Sequence, residues 1–106
     1  VSNALGVGFL EKVYENALAD ELRKAGLVVE QQFGIVVYYD GAVVGQYAVD
    51  LLVEGSVMLE LKAIRALDGV HDAQCINYLA ATGLPLCLLL NFGKPRVEIR
   101  RFVNNP

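Results

Sequence analysis

With 106 residues, 55% hydrophobic and 20% charged, 10 Gly and only 3 Pro, the chain is sized for one domain with a modest core, and the disordered, collagen-like and Pro-rich classes are excluded. Nine Lys and Arg against twelve Asp and Glu leave a net charge of −3, so this is no basic nucleic-acid coat. Binding answers to the local field, however, and Lys94, Arg96, Arg100 and Arg101 cluster around Glu98.

Apolar positions Leu10, Val13, Tyr14, Ala17, Leu18, Leu22 and Ala25 recur at three and four, which predicts a helix over about 9–25 that stops at Gly26. Leu5 to Gly8 reads as a turn leading into it, and with Val1 rather than Met at the start a preceding segment is an open expectation. Gly34–Tyr39 is β-branched and aromatic, Asp40-Gly41 is a turn signal, and a second arm runs through Val53. Tyr38, Tyr39 and Tyr47 read there as sheet packing. After a turn near Gly55 the chain returns as Val57–Ala63.

A second helix is expected over Gly69–Ala81, then a strongly apolar strand Leu86–Asn91, a turn Phe92–Pro95 and an edge strand Arg96–Phe102. The uncharged run Ala73–Gly93 is long enough to cross a bilayer, but Gln74, Asn77, Pro85 and Asn91 interrupt it, so a soluble domain without membrane contact is the expectation. Cys75 and Cys87 lack CxxC or Cys/His spacing and read as buried thiols in a reducing, cytoplasmic compartment. No signal peptide is visible. The order αβββαββ makes residues 1–106 one α/β domain, a mixed sheet with two flanking helices.

Asp50 interrupts Val49 and Leu51-Leu52-Val53, and Glu60 and Lys62 interrupt a second apolar strand. Charges in central strands are costly unless paired, hydrated or used to hold a metal. Glu60 and Lys62, two apart, share a strand face. Asp50 joins them if paired numbers total 110, which requires the three-residue loop Glu54-Gly55-Ser56; a two-residue loop would send the charges to opposite faces. The odd loop or a compensating bulge is therefore predicted.

Two carboxylates beside an ammonium suit Mg²⁺ or Mn²⁺ and phosphodiester hydrolysis, with Asp50 and Glu60 as metal ligands and Lys62 orienting water or offsetting charge. The same residues also fit an ordinary half-exposed hairpin with a neighbouring ion pair. Glu11 and Tyr14 share a side of the first helix and Glu15 extends the acidic margin, although an acid early in a helix also suits the dipole. His71, Gln74 and Tyr78 form a polar stripe on the second helix, where Gln74 can position phosphate or water and His71 can act as an acid, base or phosphate contact. The basic group Lys94, Arg96, Arg100 and Arg101 can receive a nucleic-acid backbone, or serve only to keep an edge strand soluble. No P-loop, GxGxxG, zinc-finger pattern or nucleophile elbow is present.

At Gly8-Phe9-Leu10-Glu11-Lys12-Val13-Tyr14, Asp50, Glu60-Leu61-Lys62, Gln74 and Tyr78 the sequence resembles the small GxxExxY proteins of the PD-(D/E)XK nuclease superfamily, over nearly the whole chain. The resemblance implies a restriction-endonuclease-like core and a nuclease acting on DNA before RNA. By that pattern Asp50 and Glu60 would hold the metal, Lys62 would assist water attack, and Glu11 and Gln74 would support the site. Val49 stands where the superfamily's eponymous Pro precedes the Asp. The alternative is a non-catalytic nucleic-acid-binding or assembly module of the same fold. A homodimer would add binding surface and a second cutting centre, though no interface motif marks one.

Overall fold

The computed structural model describes residues 7–104, the side chains of Val7 and Gly8 excepted. Helix α1 spans Val7–Lys24. Val7 and Gly8, expected in a turn, thus begin the helix, while Leu5 and Gly6 lie outside the described residues. The helix ends where Gly26 takes φ +90° and Leu27 N–H reaches back to Leu22 O at 3.1 Å, a left-handed cap that satisfies an otherwise orphaned carbonyl.

Strands β1 (Val29–Tyr39) and β2 (Ala42–Val53) form a long antiparallel hairpin. Asp40 and Gly41, at φ 50° and 78°, supply the two positive dihedrals of its tight turn. β1 starts five residues before the expected Gly34. Within its first part, Glu30-Gln31-Gln32 has weak intrinsic strand preference and is held by pairing with the apolar end of β2. β3 (Val57–Lys62) returns antiparallel to β2 with Leu51↔Leu59, Leu52↔Met58 and Val53↔Val57. The paired numbers total 110, and the three-residue loop has Glu54 at φ 54° and Gly55 at φ 64°.

Helix α2 (Gly69–Thr82) carries the chain over to β4 (Leu86–Asn91), which runs parallel to β3. β5 (Glu98–Val103) closes the far edge antiparallel to β4, two residues later at its start than expected, because Arg96 and Val97 remain in the turn. The sheet order is β1-β2-β3-β4-β5. This is the mixed sheet with two flanking helices, in the order αβββαββ, that the pattern predicted.

α1 covers one face, packing Ala19, Leu18 and Leu22 on Val29, Leu51, Val53, Leu59 and Leu61. α2 covers the other, packing Cys75, Tyr78 and Leu79 on Ile35, Val49, Leu52, Met58, Cys87 and Leu89. Both cysteines are free and buried, and the Cys87 thiol is pushed up by its hydrogen bond with Cys75 and then by burial, so it stays protonated. At the β4 end, fully buried Asn91 accepts from Ile64 N–H and Gly93 N–H, each at 3.0 Å, and donates to Ile64 O at 2.9 Å. Gly93 approaches so closely that a Cβ there would stand 2.0 Å from Ile64 O. No helix among the described residues is long and apolar enough to cross a membrane.

Candidate active site

The three-residue loop after β2 sets Asp50 opposite Glu60. The regular β2–β3 ladder reaches only Leu51↔Leu59, and beyond it side chains replace backbone. Glu60 Oε1 accepts from Asp50 N–H at 3.1 Å, and Asp50 Oδ2 accepts from Leu61 N–H at 2.8 Å. Each acid therefore clips the opposite strand, and the two strands part around a pair of carboxylates. Lys62 Nζ stands 3.8 Å from Glu60 Oε2, and α1 adds Glu11, whose Oε2 accepts from Ala63 N–H at 3.2 Å.

Burial dominates the electrostatics here. Glu60 is 4% exposed, and its carboxyl is pushed up to about 7, first by burial and then by the charge of Asp50. Asp50 is also raised by burial, in part offset by the Leu61 N–H bond. Two acids that repel each other beside a single ammonium are short of positive charge. Their oxygen-only donor set and remaining lone pairs fit a hard divalent cation. Among the described residues no three His, Cys, Asp or Glu side chains converge as a ligand group, so such a cation would rest on Asp50 and Glu60, with its other positions left to water or phosphate.

The remaining expected residues are spread more widely. Gln74 donates to the Tyr78 hydroxyl at 3.0 Å; Tyr78 is buried, and its phenol is pushed up to about 12 by burial and then by the charge of Glu60. This pair thus borders the acids without bonding to them. His71 closes the N-terminus of α2: its Nδ1 accepts from Asp68 N–H at 3.1 Å while Asp68 Oδ1 accepts from Val70 N–H at 2.9 Å. Tyr14 stacks on Phe92 with ring centroids 4.5 Å apart.

Arg100 Nη1 donates to both carboxylate oxygens of Asp72 at 2.8 Å, tying β5 to α2, and Lys94 stands 3.8 Å from Glu98. Arg101 alternates to the opposite, exposed face. Arg100 and Arg101 therefore lie on opposite faces of β5.

Three residues absent from the expected set shape the site. Glu15, 2% exposed, accepts from Lys12, Gln31 and Gln32, and Gln32 also reaches Asp50. Glu15 carried only the hint of an acidic margin on α1, and a Glu-Gln-Gln run signals nothing by itself. The tyrosines expected to pack are open instead: Tyr38, Tyr39 and Tyr47 are 65%, 71% and 54% exposed. Tyr38 and Tyr47 line, with Val36, Val44, Gln74 and Tyr78, a groove of about 840 Å³ between the hairpin and α2.

A mixed sheet between two helices, with two acids and a lysine where its central antiparallel strands part, defines a restriction-endonuclease-like core. Residues 1–102 match the model of the PD-(D/E)XK nuclease superfamily, and the chain belongs to that superfamily. Among solved structures it is similar to SSO0001, at 16% identity and a TM-score of 0.66, covering 91% of this chain and 51% of that one. It is also similar to an alkaline exonuclease from Laribacter hongkongensis, at 16% identity and a TM-score of 0.61, covering 89% and 56% of the two chains. With the same exonuclease in complex with dAMP the TM-score is 0.64 at 17% identity, covering 99% and 60%. The chain therefore spans little more than half the length of the structures it matches. No curated protein matches it significantly in sequence.

Proposed function

We propose that this protein is a divalent-metal-dependent nuclease that hydrolyses phosphodiester bonds in nucleic acid, DNA before RNA, as one of the GxxExxY proteins of its superfamily. The observation that carries this reading is the reciprocal clip of Asp50 and Glu60, which holds a buried and a half-buried carboxylate together beside Lys62. A bound Mg²⁺ or Mn²⁺ would polarise the phosphate and make water a stronger nucleophile at neutral pH. Asp50 and Glu60 would hold the cation. Lys62, partly open to solvent, would orient the attacking water or offset charge on the phosphate as one P–O ester bond breaks and the leaving oxygen takes a proton.

Two features support the finer assignment. Glu11 ties α1 to the end of β3 and Tyr14 ties it to Phe92, so both side chains of the helix motif brace the strand ends around the acids. Val49, in place of the superfamily's Pro, is fully buried in the α2-side core, and that exchange leaves the carboxylates untouched. Gln74, Tyr78, His71, Tyr14 and the cations Lys94, Arg96, Arg100 and Arg101 are proposed substrate contacts. Two free, buried cysteines suit a reducing cytoplasm, and a homodimer would supply a second cutting centre.

Labelled single-stranded, double-stranded and branched DNA with matched RNA, incubated with Mg²⁺, Mn²⁺ or chelator, tests the reading directly. Metal-dependent products that disappear in folded Asp50→Ala and Lys62→Ala variants are expected. Undiminished cutting by Asp50→Ala would overturn the assignment, and binding without cutting would identify a non-catalytic module.

A further inference from the structure

Apart from the register shift between Val37 and Tyr38, the β1–β2 ladder contains one omission. Gln31 pairs with Leu51 and Phe33 with Val49, so Gln32 stands opposite Asp50, and that pair is missing from the ladder. Gln32 also has φ +53° in the middle of an eleven-residue strand, the left-handed region that a residue with a Cβ seldom enters.

Adjacent side chains in a strand normally point to opposite faces. Here Gln31 Nε2 donates to Glu15 Oε2 at 2.8 Å, and Gln32 Nε2 donates to Glu15 Oε1 at 2.7 Å. Only the kink at Gln32 lets both neighbours reach the same carboxylate. It also exchanges the faces on either side: Val29 packs under α1, whereas Phe33 and Ile35 pack under α2.

The second hydrogen of the same amide is directed at Asp50 Oδ1, 3.2 Å from Nε2. Since Asp50 Oδ2 is already held by Leu61 N–H, this bond fixes the second oxygen and with it the plane of the carboxylate. Glu15 is the anchor. It is almost fully buried, lies on a different element, and is held in turn by Lys12 at 3.2 Å.

We infer that Gln32 is a positioning residue for Asp50, held in a strained backbone conformation by Glu15 so that its carboxamide aims the Asp50 carboxylate at the cation site. The inference rests on the nuclease reading of Asp50. Outer partners of metal ligands commonly govern affinity or activity by about 10- to 100-fold.

Gln32→Gly separates positioning from mere structure, because glycine accepts the positive φ without strain while losing the amide. Mn²⁺ affinity, read by titration calorimetry or electron paramagnetic resonance, should weaken by about 10- to 100-fold in Gln32→Gly, in a protein that still melts cooperatively. Gln32→Asn, which tolerates the left-handed backbone but has a shorter stem, should lose affinity in the same direction, and serves if the glycine variant fails to fold. Mn²⁺ affinity within twofold of wild type in either folded variant would overturn the inference. Asp50→Ala is the control: if Asp50→Ala also leaves Mn²⁺ affinity unchanged, the site reading itself has failed; if it abolishes binding while Gln32→Gly does not, only the positioning role has.

Discussion

Glu60 shows how one residue links burial to chemistry. Its ordinary carboxyl value of 4.5 rises to about 7 in the fold, so between those values the native state holds a proton that the unfolded chain has released. Stability therefore falls as pH rises through this window, by up to roughly 3 kcal/mol from this one group. Asp50 acts in the same direction. In chelator, urea denaturation should show wild type losing stability from pH 5 to 8 relative to Glu60→Gln, whose amide carries no charge to bury. A wild-type-to-variant difference that stays constant across this range would show that Glu60 is not perturbed. Lys62→Ala tests the neighbouring charge: because the lysine offsets two acids, its removal should lower cleavage at least 100-fold in a Mg²⁺ assay.

The elements around that site hold their positions by a few identifiable contacts. Loss of the His71 half of the α2 capping box should cost about 1 kcal/mol in His71→Ala, read by chemical denaturation; a fall in cleavage beyond the fraction unfolded would reveal a substrate contact as well. Gly93→Ala should cost more, on the order of 2–4 kcal/mol, because its Cβ meets backbone rather than a side chain that can turn away. A melting temperature within a degree of wild type would refute that. Much of this architecture was legible beforehand. The β2–β3 register followed from loop length and a side-chain period of two, since only an odd loop keeps Asp50 and Glu60 together. Less was legible where preference and structure diverge. Glu30-Gln31-Gln32 lacks a strand signature, glutamine gives no sign of a left-handed dihedral, and β-propensity cannot distinguish a packed tyrosine from the exposed Tyr38 and Tyr39.

At the scale of the whole molecule, the site is where both layers meet the sheet. α1 contributes Glu11 and the Glu15 anchor, the central strands contribute Asp50, Glu60 and Lys62, and α2 borders them through Tyr78. The acids also serve as strand clips, so their charge is coupled to the fold as a whole. A divalent cation that binds only the folded arrangement must then stabilise it by mass action. With a dissociation constant on the order of 1 mM, 10 mM Mg²⁺ would contribute about 1.4 kcal/mol, a rise of roughly 4–8 °C in the melting temperature of a domain this size. The rise should vanish in Asp50→Asn and Glu60→Gln, while Glu60→Gln in chelator at pH 8 should melt above wild type because it removes the buried repulsion. Thermal melts with and without Mg²⁺ therefore give opposite signs for the same residue: Glu60 weakens the metal-free fold and is required for the metal-bound gain. Equal Mg²⁺ shifts in wild type and both variants would place the cation elsewhere and separate the folding role of these acids from metal binding.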